Sequence, residues 1–155
     1  MNKMDGFKII GISVRTTNKD NQSAKDIAEL WGRFYGENLL QKIPNQLSQN
    51  VYSIYTDYKS NFTDEYLTII GLRVSSLDNI PAGLVGREFG PEDFEIFTAR
   101  GEMPKAIIDT WISIWQQGEK LQRKYSYDLE VYDENSQKGG LSEVKIFIAT
   151  AKPDH

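Results

Sequence analysis

Apolar residues fall along the chain into short β-branched runs and two longer stretches of helical spacing, and the order in which they do so occurs twice. The run Phe7-Lys8-Ile9-Ile10-Gly11-Ile12-Ser13-Val14-Arg15 predicts a strand, ended by the polar stretch 16–23. Ser23 is placed to cap a helix in which Ile27, Leu30, Trp31 and Phe34 recur at helical spacing as far as Tyr35, with Gly36 positioned to end it. The polar segment 37–50, holding Pro44, reads as a loop, and residues 51–57 and 65–74 read as two strands joined by 58–64, a hairpin. Pro81, Gly83, Gly86, Gly90 and Pro91 punctuate residues 75–91 and mark a connection between two halves. The order then begins again. Residues 94–100 form a strand, Gly101 breaks it, and Pro104 suits the first turn of a helix running to about Gln117. Ile107, Ile108, Trp111, Ile114 and Trp115 make the apolar face of that helix. Residues 128–132 and 144–150 close the chain with a second hairpin around the turn-forming segment 133–140.

Laying Lys25, Ile27 and Trp31 on Lys105, Ile107 and Trp111 superposes the two helical patterns, and Ile54 and Tyr55 then fall on Val131 and Tyr132 after a slightly shorter helix-to-strand connection. A shared order of elements predicts an α+β fold of duplicated β-α-β-β repeats related by a pseudo-two-fold. The sheet is expected to be antiparallel, with helices on one face and a ligand cleft between the repeats. One domain is expected over residues 1–155, with repeat 1 at about 5–74, a linker at about 75–91 and repeat 2 at about 92–152. Alternation along the strand puts Leu129 and Val131 on one face, expected to meet the helices. Asp128, Glu130 and Tyr132 then share the other, open face with Ser53 and Tyr55 of the related strand.

Composition narrows the classes of function. A net charge of −4 at pH 7 disfavours direct nucleic-acid binding, and the absence of cysteine excludes disulfides and thiolate metal sites or nucleophiles. No run approaches the ~20 apolar residues of a membrane helix and the N-terminus lacks a signal-peptide core, so a cytoplasmic protein without membrane contact is expected. The one histidine is His155, and no nucleophile elbow, metal-ligand cluster or phosphate loop is present. Gly83, Gly86 and Gly90 lack the spacing of a dinucleotide fingerprint. No catalytic residue, metal site or cofactor is expected from these patterns.

The run Lys124-Tyr125-Ser126-Tyr127-Asp128-Leu129-Glu130-Val131-Tyr132-Asp133 resembles the strand signature of GyrI-like effector-binding domains, the AraC-type effector-binding domain of bacterial transcription activators. Residues 94–101 followed by Pro104-Lys105-Ala106-Ile107-Ile108-Asp109-Thr110-Trp111 resemble the strand, glycine and tryptophan-bearing helix that precede it. In the first half, Val51-Tyr52-Ser53-Ile54-Tyr55-Thr56-Asp57-Tyr58 and Glu65-Tyr66-Leu67-Thr68-Ile69-Ile70-Gly71 are similar to the integron-associated effector-binding subgroup. The resemblance implies the duplicated β-α-β-β fold with ligands in the groove between repeats. It also implies a stand-alone sensor or sequestering protein for a small organic cation or drug-like molecule, whose effect on transcription would require a partner regulator chain; a homodimer is an open possibility. Glu130 and Tyr132 match the strand motif, Glu130 at the position where relatives set an acidic group against a cation. Tyr55, Trp111 and Trp31 carry over as aromatics flanking the groove.

Each candidate also has a plainer explanation. Trp31 and Trp111 suit a core, Trp115 is expected there, Tyr55 and Tyr132 suit cross-strand packing, and Glu130 suits a solvated strand position. A carboxylate among aromatic rings nevertheless fits a lipophilic cation, because ion pairing adds to cation-π attraction of ~0.5 to 2 kcal/mol per ring. Two alternatives stand beside binding. One is hydrolysis of a reactive electrophile by Glu130 with a tyrosine. The other is inhibition of an enzyme such as DNA gyrase by direct contact.

Overall fold

A computed structural model describes residues 2–151; the end of the second repeat at about 152 and His155 lie outside the described residues. Eight strands and three helices follow in the order β1 (Asn2–Met4), β2 (Phe7–Thr17), α1 (Gln22–Gly36), α2 (Leu39–Lys42), β3 (Gln46–Thr56), β4 (Glu65–Val74), β5 (Val85–Phe89), β6 (Glu92–Arg100), α3 (Lys105–Gln117), β7 (Tyr127–Tyr132) and β8 (Glu143–Ala149). All eight strands form one antiparallel sheet in the order β1-β6-β8-β7-β3-β4-β2-β5. The order is palindromic in the repeats, since β3, β4 and β2 on one side of the centre answer to β7, β8 and β6 on the other. β1 leads into β2 but pairs with β6, and β5 leads into β6 but pairs with β2, so each repeat lends its leading strand to the other.

Several local expectations are corrected. The segment read as a linker contains β5, the counterpart of β1, because backbone pairing with β2 outweighs its glycine-rich composition. The segment read as the loop 37–50 holds the short helix α2 and the start of β3. Ser23 does not cap α1; the cap position is Asn21 in a left-handed conformation, which leaves Ser23 inside the first turn. Pro104 occupies the cap position of α3.

The two faces of the sheet bury different things. Residues paired in register point to the same side, so one row runs Ile12, Ile70, Ser53, Glu130, Ile146, Phe97 across six strands. Its neighbours Ile10, Leu72 and Val51 pack with Leu30 and Phe34 of α1, and Ile146, Ile148 and Val144 pack with Ile114 of α3. This is the helix-covered face. The opposite face is built from strands alone: Phe7, Ile9, Ile54, Phe94, Tyr127 and Leu129 belong to one buried cluster. There the sheet closes on itself, because Phe7 of β2 lies 6.0 Å from Tyr127 of β7 although two strands separate them in the sheet.

Leu129 and Val131 therefore turn away from the helices, and Glu130 and Tyr132 turn toward them, the reverse of the sequence expectation. The grouping by alternation holds, but its assignment to a face inverts. Apolar strand residues were expected to seek the helices, whereas the curl supplies a second apolar interior that needs none. No helix among the described residues is long and apolar enough to cross a membrane.

The close approach of β2 and β4 depends on paired glycines. Gly11 and Gly71 are register partners, and a Cβ on Gly11 would fall 2.0 Å from the Ile70 carbonyl oxygen, one on Gly71 2.3 Å from that of Ile10. Both obstacles are backbone, so the strands themselves would have to separate. Gly11→Ala and Gly71→Ala are each expected to lower the unfolding free energy by about 1 to 3 kcal/mol. Gly32→Ala, on an open surface of α1, is expected to raise it by ~0.5 to 1 kcal/mol. Chemical denaturation of the three variants checks both signs.

Candidate functional site

Between α1, α3 and the sheet lies a cavity of about 540 Å³, within the range usual for small-molecule sites. It exists because the apolar faces of the two helices do not settle fully on the strands. Of the residues predicted to form the apolar face of α3, only Ile114 is fully buried; Ile107, Trp111 and Trp115 wall the cavity and Ile108, 54% exposed, stands at its rim. In α1, Leu30 and Phe34 anchor the helix while Ile27 and Trp31 face the cavity. Trp115, expected in the core, stacks on Phe62 with centroids 5.6 Å apart, because the space beneath it is cavity rather than sheet.

Strands β3 and β7 make the floor. Ser53 and Glu130 are register partners at the centre of the sheet and also repeat counterparts, so the pseudo-two-fold passes between them. Around that point the aromatic groups are arranged reciprocally. Tyr55 of the first repeat meets Trp111 of the second edge-on at 5.5 Å, and Tyr132 of the second meets Trp31 of the first edge-on at 4.8 Å. The Ser53 hydroxyl donates to the Tyr55 oxygen at 3.1 Å, and the Tyr132 hydroxyl donates to Glu130 Oε1. These four rings are thus symmetric; the carboxylate is not.

Glu130 is 2% exposed and has no lysine or arginine partner among the described residues. Trp111 Nε1 donates to its Oε2 at 2.5 Å. Burial raises the Glu130 carboxyl above the usual carboxylate range, and the hydrogen bonds from Tyr132, Trp111 and Tyr55 pull it partly back. Burial, and next the Glu130 charge, push the Tyr55 and Tyr132 hydroxyls well above the usual phenol range, so both remain protonated donors. Tyr66, which meets Tyr55 edge-on at 6.0 Å, is pushed up to about 12 by burial. The arrangement is a buried carboxyl, hydrogen-bonded by the indole of Trp111 and the hydroxyl of Tyr132 and surrounded by aromatic side chains. Among the described residues no group of three histidine, cysteine or acidic side chains could hold a metal.

All five residues singled out in the sequence, Glu130, Tyr132, Tyr55, Trp111 and Trp31, line this one cavity. Sequence reasoning passed over Tyr58, Phe62, Tyr66 and Arg123, which also line it. Tyr58 and Phe62 lie in the connection between β3 and β4, and Arg123 lies in the extended stretch before β7, segments without periodicity. Tyr66, at the start of β4, shares the helix-covered face with Tyr55, a relation that alternation alone would have revealed had the face been assigned correctly.

Comparison with known proteins agrees with this geometry. The family model described as integron-associated effector binding protein matches residues 1–150. The crystal structure of an integron cassette protein from the mobile metagenome of Vibrio cholerae is 30% identical, covers 96% of this chain and 92% of that one, and superposes with a TM-score of 0.75. YobU of Bacillus subtilis (strain 168), which carries the name of a transcriptional regulator, is 22% identical over 96% of this chain and 95% of its own length. The structure of SAV2435 bound to tetraphenylphosphonium shares the fold at 15% identity, with a TM-score of 0.79 over 96% of this chain and 90% of that one. By its fold and its match over nearly the whole length, the chain belongs to the integron-associated effector-binding protein family.

Proposed function

We propose that this chain binds a small organic cation, aromatic or amphipathic, in the cavity between α1 and α3, and acts as a cytoplasmic sensor or sequestering protein for it. The observation that carries the reading is Glu130, a buried carboxylate without a cationic partner among the described residues, set in a floor of aromatic side chains. A charge so placed is disfavoured while the cavity is empty and becomes favourable when a cation enters. Trp31, Tyr55, Trp111 and Tyr132 offer ring faces and edges on both sides of it, each able to add ~0.5 to 2 kcal/mol of cation-π attraction. The tetraphenylphosphonium in SAV2435, a protein of the same fold, is a ligand of this chemical kind.

Selectivity for charge is the direct test. Phenyltrimethylammonium and its neutral isostere tert-butylbenzene differ in charge at nearly constant shape. Glu130→Gln is expected to weaken phenyltrimethylammonium binding roughly 10- to 150-fold, the equivalent of ~1.5 to 3 kcal/mol for a desolvated charge-assisted contact, and to leave tert-butylbenzene unchanged. Calorimetry on both proteins decides; equal cation affinities would remove Glu130 from the site.

A second expectation follows from the raised carboxyl of Glu130. The folded protein holds this proton more tightly than the unfolded chain, so the contribution of Glu130 to stability is greatest in acid and is lost as pH rises from the usual carboxylate range through the raised folded value. Above that value the charged residue burdens the empty protein, and Glu130→Gln should gain on the parent. Denaturation midpoints across this pH window should therefore converge in acid and separate, with the glutamine variant ahead, as pH rises. A saturating cation should reverse the order.

A further inference from the structure

Corresponding residues of the two helices surround the cavity, but they match only where they are half-buried: Ile27 and Trp31 of α1 answer to Ile107 and Trp111 of α3. At the exposed mouth the repeats part. Ala24 and Ala28 form the lip on α1, while the lip on α3 is formed by Ile108, the counterpart of Ala28, and Ile112, the counterpart of Gly32. One lip is therefore low and the other a ledge. Ile108 and Ile112 are 54% and 41% exposed, and among the described residues they are the only large apolar side chains that stand so far in water and also line the cavity. Their spacing of four places them one above the other on α3. Single apolar side chains on a surface are ordinary, whereas this pair carries the apolar lining of a cavity outward beyond its mouth.

We propose that Ile108 and Ile112 form a tail subsite: the ligand carries one alkyl chain, which leaves the cavity between the helices and lies along this ledge while the cationic head meets Glu130 on the floor. The tail subsite rests on the cation-binding reading and adds to it a second group on the ligand and the direction in which that group points. Charge fixes the direction. The lip residues are aliphatic, so a cation left at the mouth would exchange a carboxylate for carbon, and a tail buried at the floor would strand Glu130 without a counter-charge. The small side chains of Ala24 and Ala28 opposite the ledge leave the gap open to the chain. Size sets its length. A helix with its side chains is about 10 Å across, so a chain that climbs from the floor past α3 needs about eight carbons at ~1.25 Å each.

The test replaces one methyl group of phenyltrimethylammonium by butyl, octyl or dodecyl. Calorimetry on the parent is expected to show affinity rising about two- to fourfold per added methylene up to about eight carbons and levelling off beyond the ledge. Ile108→Gln combined with Ile112→Gln puts good helix formers at two exposed positions and removes the ledge. It is expected to cut the ratio of octyl to methyl affinity about tenfold. An affinity that does not depend on chain length, or a ratio that survives the double substitution, overturns the tail subsite and leaves the cation reading intact. Failure of the parent to bind phenyltrimethylammonium or any of its alkyl derivatives overturns both. Sedimentation of the two proteins without ligand tests the other occupant of the ledge, a second copy of this chain. Parent and variant are expected to run as the same species; a dimer that the double substitution dissociates would assign Ile108 and Ile112 to that contact and overturn the tail subsite.

Discussion

A carboxylate is held at the centre of an eight-stranded sheet, on the face that two helices cover, and the layout of the molecule answers to that placement. Such a face is ordinarily filled by aliphatic side chains that meet the helices directly. Here its central register pair is Ser53 and Glu130, and Glu130 is only 2% exposed. An ionised group in that position needs hydrogen-bond donors, which Trp111 and Tyr132 supply from α3 and β7. Trp111 reaches it across the gap between α3 and the strands, and the cavity occupies that gap and the one beneath α1. Apolar burial continues to either side of that centre, where Ile10 and Leu72 meet α1 and Ile146 and Ile148 meet α3, and on the other face, where the curled strands enclose Ile9, Ile54, Phe94 and Leu129 without any helix.

Duplication builds the aromatic part of this arrangement and departures from it build the polar part. Tyr55 with Trp111, and Tyr132 with Trp31, are the same contact made twice across the pseudo-two-fold, each joining one repeat to the other. Between them, the counterpart of Glu130 is Ser53 and the counterpart of Asp128 is Val51. The four rings around the centre of the cavity are therefore symmetric and its charges one-sided, Glu130 and Arg123 both coming from the second repeat. A ligand with rings around a single charged group would fit both features.

Much of this was legible in the residues. The order of the longer elements, the duplication and the pairing of Glu130 with Tyr132 on one side of a strand all follow from local periodicity, which depends only on chain geometry, whereas β1, β5 and α2 are too short to show one. That the five aromatic and acidic residues share one cavity was legible as well, though through resemblance to a family rather than through chemistry: taken alone, a glutamate on a strand and a tryptophan on a helix read as surface and core. Arg123 was not legible, since its burial in the cavity wall, against Asp128 and three aromatic rings, is a property of its surroundings and not of its identity or spacing.

What the sequence determined by itself was the six long strands and two long helices, their repetition and which side chains travel together, because alternation along a strand and recurrence along a helix are short-range facts. Which face each set occupies was decided by the tertiary structure. Hydrophobicity favours burial without naming a partner, so Leu129 could satisfy it against helices or against other strands; the curl of the sheet, through contacts such as Phe7 with Tyr127, chose the strands. That choice turned Glu130 under the helices and made a buried, aromatic-lined charge of a residue that its neighbours in sequence would have left in water.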